Sequence, residues 1–342
     1  MRTYLVRLAS ALAIVCSSAH GQNVKMTFGY QSLWATGGEI SETLRRTNIL
    51  ALNGIVADFK TFSQGAALGE AYVAGATDNQ FAGDFPTLFA VARKPGKVIS
   101  RTHDWRYAIL VTQDFKGTRL ADLKGKRFAA PVGSAVFPRA MGHLISAGLK
   151  DPFSDLTIIN QDIGEQVAAL QGKSVDAVLS WDPTVERILQ TGLAKPLYMS
   201  KPGEGQGWLA VSQEFLDKTG RDGTVRFMKA WIMSIWWASN NVATAQKWFG
   251  ETSRIPVDLL VASAKQDRYL KQPVQDIKSI DLLISDQDIR DTQAGMDFQV
   301  ARKLRTNKTD VASLVDMQYL RQAQRDIAEG KHPALAEIKM TR

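Results

Sequence analysis

Cysteine is nearly absent from this chain: Cys16 is the only one in 342 residues. It lies in the opening stretch MRTYLVRLASALAIVCSSAHGQ, where Arg2 and Arg7 precede an apolar run from Leu8 to Cys16 and then small residues. That order is the pattern of an export signal, with Ala19-His20-Gly21 as the small-x-small site and cleavage before Gln22. Lipid attachment at Cys16 fits less well, because Ala13-Ile14-Val15 lacks the small residue usual just before a lipidated cysteine. With residues 1–21 removed, the mature chain has no disulfide, thiolate nucleophile or cysteine metal ligand. Histidine is scarce too. Of four, His20 is in the signal, and His103, His143 and His332 are scattered without ligand spacing, so neither a metal nor a cofactor is expected. No Gly-x-Ser-x-Gly elbow supports a hydrolase of that type. No later run approaches the ~20 apolar residues of a membrane span. The formal charge of +8 is spread along the chain, without the aromatic-basic clustering that binds nucleic acid strands. It amounts to a weak field favouring anions.

What is present is alternation. VKMTFGY reads as a strand with Val24, Met26 and Phe28 on one face. A polar loop QSLWATGG follows, then a helix from Ile40 to about Leu52, the strand IVADFKTF, a short helix over 66–74 and the strand NQFAG. The turn GDFP opens a helix ending near Lys94-Pro95-Gly96. The rhythm restarts at YAILVTQ and continues through KRFAAP, LTIINQ and VDAVLSW, with helices between, to the strands KPLYMS and WLAVS. Such alternation predicts βαβ units and a largely parallel sheet. Beyond about Gly220 the chain reads as helix. Met228, Trp231, Ile232, Ile235 and Trp236 form an apolar stripe at helical period, read as core rather than as a ligand box. Two α/β units followed by helices imply two lobes with a cleft between them. Ligands of open α/β sheets sit where strands exit into helices. Gln31-Ser32, Gly83-Asp84, Gly133-Ser134 and Trp181-Asp182 all hold such positions.

The stretch RFAAPVGSAVFPRAM, residues 127–141, carries the sharpest local signal. Pro138 is tolerated only in a helix's first turn, which sets the start near Ser134, with Ser134 as N-cap and Gly133 allowing a tight turn. The N–H groups of Ala135, Val136 and Phe137 are then left to face an anion. The plainer alternative is that Ser134 only caps its own helix.

The GD.P turn, ADLKGK, the Gly-Ser before a helix, and VDA…WDP occur here in the order found in solute-binding proteins of sulfonate, taurine and nitrate ABC importers, which this chain resembles. The resemblance is strongest from about Asn23 to Asp182. It implies a type II periplasmic binding protein: two α/β lobes closing over cargo, with a helical C-terminal region. Lobe I would comprise 22–106 plus 205–342, and lobe II 107–204. Crossings would fall near Arg106-Tyr107 and across 201–205. Implied partners are a small, anionic cargo and the permease with its ATPase subunits, the protein itself being a periplasmic monomer.

The resemblance places Gly133 and Ser134 at an anion-contacting turn, Gly83 and Asp84 in a lobe-one loop, and Trp181-Asp182 on the lobe-two rim. Gln31, Ser32 and Ala135 join them as candidates. Sulfonate binders often carry a further hydroxyl and a histidine after Gly-Ser, whereas AVFPRAM supplies apolar residues and Arg139. With Phe85 and Trp34 adding apolar surface at the mouth, this favours a larger organic anion, aromatic ones included. Each candidate keeps a structural alternative. Asp182 before Pro183 suits an N-cap. Asp84 either caps its helix or meets an amino or hydroxyl group. Arg139 faces cargo or solvent, and Arg106 pairs with a carboxylate or with cargo. Trp181 is a cargo wall or core. Competing functions are an enzyme resembling one of thiamine-pyrimidine synthesis, which would need a cysteine-rich motif and iron, a binder of a neutral pyrimidine, and a sensor domain.

Overall fold

The computed structural model describes residues 23–341; the expected signal, with Cys16 and the cleavage point at Gln22, lies outside the described residues. Ten strands follow in order: β1 (Val24–Gln31), β2 (Ile55–Phe62), β3 (Asn79–Gly83), β4 (Gly96–Trp105), β5 (Tyr107–Thr112), β6 (Arg127–Ala130), β7 (Thr157–Asn160), β8 (Ala177–Trp181), β9 (Ala194–Met199) and β10 (Gly205–Ser212). The helices that bear on the site are α1 (Ala35–Arg46), α2 (Ile49–Leu52), α3 (Gly65–Val73), α4 (Asp84–Arg93) and α5 (Val136–Ser146).

One body contains the parallel pair β1-β2, running from Val24 opposite Ile55 to Gln31 opposite Phe62. Beside it lies the sheet β3-β10-β4, in which β10 is antiparallel to both neighbours. The second body is a five-stranded sheet in the order β7-β6-β8-β5-β9. There β6 runs parallel to β7 and β8, while β5 is antiparallel to β8 and β9. The expectation of a largely parallel sheet is therefore corrected. The chain passes between the bodies twice, at Arg106 and between β9 and β10. A strand entering from the other body arrives from the opposite end, so β5 and β10 run against their neighbours.

Strand β4, GKVISRTHDW, escapes a reading by alternation because Lys97, Arg101, His103 and Asp104 interrupt it. Packing explains their presence: the strand is mostly buried, and Arg101 is paired with Asp104 and with Asp288, the latter at 3.5 Å. Helix α1 also begins earlier than expected, inside the supposed QSLWATGG loop. Glycine disfavours helix, but here it is needed, since a Cβ at Gly38 would come within 2.0 Å of the Phe249 ring.

The segment Gln213–Asn240 is two helices meeting at a kink at Gly220, where φ is 59°, and the second of them carries the apolar stripe. Met228, Trp231, Ile232 and Ile235 are buried and Trp236 half-buried. Trp231 packs on Phe28 and Phe81, with ring centroids 6.0 and 5.1 Å away. Burying side chains of this size contributes about 1.5–3 kcal/mol each. The stripe is core. Among the described residues no helix is long and apolar enough to cross a membrane.

Candidate functional site

Between the two bodies lies a cavity of about 260 Å³. Strand exits build its wall. From the first body come Gln31 and Trp34 after β1, Gln64, Gly65 and Ala66 after β2, Gly83 and Pro86 after β3, and Trp105 at the end of β4. The second body supplies Pro131, Gly133, Ser134 and Ala135 after β6, Asn160 and Asp162 after β7, and Trp181 at the end of β8.

Three indoles are among the lining residues. Trp34 and Trp105 have ring centroids 6.0 Å apart at 83°, and Trp105 and Trp181 lie 6.2 Å apart at 69°. All three are at least nine-tenths buried. Trp34 rests on His103 at 4.4 Å. Burial pushes that imidazole down to about 3, so it stays a neutral support. The Trp181 indole N–H donates to the Leu33 carbonyl at 3.3 Å, tying the second body to the first. The Trp105 indole nitrogen is buried with no hydrogen-bond partner.

The Gly133-Ser134 turn differs from expectation in one respect. Helix α5 starts at Val136, its N-cap is Ala135, and no side chain caps it. The Ser134 N–H instead donates to the Pro131 carbonyl at 2.9 Å, closing a turn just ahead of the helix. Ser134 thus belongs to the turn and caps nothing. Its buried Oγ has no partner. Among the described residues no hydrogen bond is recorded for the N–H groups of Ala135, Val136 and Phe137, which begin an eleven-residue helix. Pro138, third in α5, falls in the first turn as expected. Gly133 is not in the left-handed region, and a Cβ there would meet nothing within 4 Å.

The charged candidates are engaged elsewhere. Arg139 of α5 reaches across to Asp84 at the start of α4, with Nη1–Oδ1 3.0 Å and Nη2–Oδ2 2.5 Å. Asp84 also accepts from the Thr292 hydroxyl at 3.0 Å and from the Phe85 N–H at 2.9 Å. The N-cap of α4 is Gly83, so Asp84 serves as an interbody ion-pair partner. Phe85 is buried beneath the Arg139 guanidinium, 4.9 Å from the ring centroid. Arg106 is bidentate on Asp182, at 2.9 and 2.7 Å, and also bonds Glu186. Burial pushes Asp182 up to about 6, against the opposing pull of that guanidinium. The helix that follows begins at Thr184 with Pro183 as N-cap, so the N-cap expectation for Asp182 is overturned. The ion pair with Arg106 takes the carboxylate instead. Ser32 spends its hydroxyl on the Phe62 carbonyl at 3.2 Å.

Seven of the sequence-derived candidates thus lie on the cavity wall: Gln31, Trp34, Gly83, Gly133, Ser134, Ala135 and Trp181. Ser32, Asp84, Phe85, Arg106, Arg139 and Asp182 do not line it. Sequence reasoning passed over Gln64, Asn160 and Asp162, although the same strand-exit rule applied to β2 and β7 points to them. Trp105 was missed together with its strand. Gln64 Nε2 donates to Asp162 Oδ1 at 2.6 Å, a polar contact between the bodies at the rim. Among the described residues no cluster of His, Cys, Asp and Glu is arranged to hold a metal ion.

No family model matches the chain. It is 25% identical over 288 residues, 81% of each chain, to a Bacillus subtilis (strain 168) protein named as aliphatic sulfonates-binding. The alkanesulfonate-binding protein SsuA of Xanthomonas axonopodis pv. citri, solved bound to MOPS, superposes with a TM-score of 0.71 at 23% identity, over 86% of this chain and 99% of that one. The periplasmic nitrate-binding protein NrtA of Synechocystis PCC 6803 gives 0.68 at 12% identity, over 89% of both. The desulfurization enzyme DszB shares the fold more distantly, at 0.60 and 13%, over 88% of this chain and 99% of that one. Two α/β bodies, two crossings and a cavity of strand exits make up the two-lobed fold that these proteins share. The chain is thus similar to aliphatic sulfonate-binding proteins and shares its fold with a periplasmic nitrate-binding protein.

Proposed function

We propose that the protein captures a small organic anion, sulfonate- or aromatic-carboxylate-like, in the interlobe cavity and delivers it to a membrane ABC permease and its ATPase subunits. The observation that carries this reading is the Gly133-Ser134 turn. A buried hydroxyl without a partner and the uncapped start of α5 lie together on a wall that also carries three indoles. Buried polar groups are normally satisfied, so such a hydroxyl is matched to a ligand oxygen. A helix start favours negative charge. The wall residues Gln31, Trp34, Gly83, Gly133, Ser134, Ala135 and Trp181, with Gln64, Trp105 and Asn160, form the proposed site.

In this reading lobe I spans 22–106 and 205–342, lobe II spans 107–204, and they hinge at Arg106 and at 201–205. The mature protein works in the periplasm as a monomer with Gln22 first. Binding rather than catalysis is supported by the lack of cysteine after residue 16 and by a His103 that burial keeps neutral. The pyrimidine alternative loses the carboxylate it relied on, because Asp84 is committed to Arg139.

A thermal-shift screen of the mature protein against organic anions identifies the cargo class. A true cargo at ~100 times its Kd adds about 2.7 kcal/mol of stability. Calorimetry then compares wild type with Ser134→Ala, for which a loss of ~10-fold or more is expected, since hydrogen bonds to charged groups are worth roughly 1.5–3 kcal/mol. Unchanged affinity in that variant would place the anion elsewhere.

A further inference from the structure

Away from the cargo cavity, a groove of about 850 Å³ opens where α4 and the helix Asp286–Ala301 end and the chain runs on through 302–309. Helix α4 begins at Asp84, in the interlobe ion pair, and ends at Arg93 on this groove. At 1.5 Å per residue, roughly 15 Å of helix separates the two places. The groove is lined by Arg93, Lys303, Arg305 and Lys308 and by no carboxylate. Arg93 is paired with Glu70. Among the described residues, the side chains of Lys303, Arg305 and Lys308 have neither an ion pair nor a hydrogen bond.

Cations near a helix C-terminus complement the helix dipole, which accounts for Lys303 but not for Arg305 or Lys308, beyond the last turn. Arg305 is the informative one. It is half-buried, with its guanidinium laid on the Phe89 ring. Burial and the neighbouring Arg93 charge push it down to about 10. A guanidinium has five N–H donors in a fork that matches phosphate oxygens, and partial burial without an acceptor is a cost that such an anion removes. The lining is not only basic. Phe89, Ala92, Met296 and Leu304 share it, and Leu304 is 37% exposed. A free anion needs no apolar neighbours. Cations mixed with exposed apolar side chains are the composition of surfaces that rest on anionic bilayers, where the apolar groups enter the headgroup layer and Lys and Arg meet phosphate.

We propose that this groove docks the protein on an anionic lipid surface, with headgroup phosphate at Lys303, Arg305 and Lys308 and Leu304 among the headgroups. This goes beyond the cargo reading and uses none of the cavity wall. It keeps the protein beside the bilayer, where the search for a membrane permease runs over a surface instead of through a volume. The formal charge of +8 adds a general attraction, so the test must separate the groove from net charge.

The test is co-sedimentation of the mature protein, at low salt, with vesicles of phosphatidylglycerol and phosphatidylethanolamine or of phosphatidylcholine alone. Wild type should bind the anionic vesicles ~10-fold or more tighter than the neutral ones, and high salt should release it. Lys303→Gln with Arg305→Gln and Lys308→Gln should lose ~100-fold on anionic vesicles, each cation near such a surface being worth roughly five-fold. Lys303→Gln with Lys308→Gln, both exposed and safe for the fold, should lose ~20-fold by the same rule. A control that removes three exposed lysines of the second body, Lys116→Gln, Lys126→Gln and Lys173→Gln, should lose ~3-fold or less. Leu304→Asn leaves the charge unchanged and should still weaken binding by ~3-fold or more. Equal binding to both kinds of vesicle, or an equal loss in the control, would overturn the proposal. So would full binding by Leu304→Asn, or release by inorganic phosphate at matched ionic strength, either of which makes the groove a free-anion site. Cargo affinity, measured in parallel, should be unchanged in every variant, so failure on vesicles leaves the cargo reading untouched.

Discussion

Gly83-Asp84-Phe85 and Gly133-Ser134-Ala135 look alike in sequence. Each follows a strand, leads into a helix and places a polar residue after a glycine. In the fold they face each other, so closely that a Cβ at Gly83 would come within 2.4 Å of the Ala135 Cβ. Their polar residues nevertheless do opposite things. Asp84 is fully buried and satisfied by Arg139, Thr292 and the Phe85 N–H, so it has little left to offer a ligand. Ser134 is half-buried, and its Oγ is buried with no partner. A strand exit nominates a residue; the accounting of its hydrogen bonds separates a latch from a site.

Breaking the latch should have the largest effect on stability. Asp84→Ala strands the Arg139 guanidinium, whose side chain is only 18% exposed, and removing one partner of a buried pair costs about 3–5 kcal/mol. Urea unfolding should show that loss, and Asp84→Ala with Arg139→Met should recover most of it. If Asp84→Ala kept full stability and lost cargo instead, the two turns would not differ in kind.

The glycines sharpen the contrast at the level of closure. A methyl at Gly83 must push against Ala135, so Gly83→Ala should hold the lobes apart and weaken cargo binding by roughly 10-fold, since a ligand's apparent affinity falls with the population of the competent state. Small-angle scattering with cargo should then give a larger radius of gyration than wild type. Gly133→Ala adds its methyl to open space, and the radius with bound cargo should match wild type. Matching radii in both variants would remove close approach as the reason for Gly83.

The smallest expected effect is on the stability of Ser134→Ala. With no cap bond to lose, its unfolding free energy should stay within ~0.5 kcal/mol of wild type. A true cap would cost about 0.5–2 kcal/mol. A drop in that range would restore the cap and weaken the contrast with Asp84.

Much of this was legible in the residues. Alternation gave the two α/β units and the helical end, and the strand-exit rule reached Gln31, Gly83, Ser134 and Trp181. Trp105 was hidden because β4 carries charges whose partners, such as Asp288, are far away in sequence. The start of α1 was hidden because glycine in a helix is explained only by Phe249, more than two hundred residues later. Asp84, Arg106, Arg139 and Asp182 were visible as candidates, but a charged residue's partner is a tertiary fact. Sequence shows that an arginine is near a cleft, not that a carboxylate already holds it.

The central claim is that the cleft binds an anion at the Ser134 turn and not at the arginines. A crystal structure of the mature protein with bound 3-phenylpropane-1-sulfonate tests it most directly. The sulfonate oxygens should lie within hydrogen-bond distance, roughly 2.7–3.2 Å, of Ser134 Oγ and the first N–H groups of α5, with the ring among Trp34, Trp105 and Trp181. Asp84 and Arg139 should remain paired. A sulfonate seated on Arg139 or Arg106, with its carboxylate partner displaced, would contradict the account.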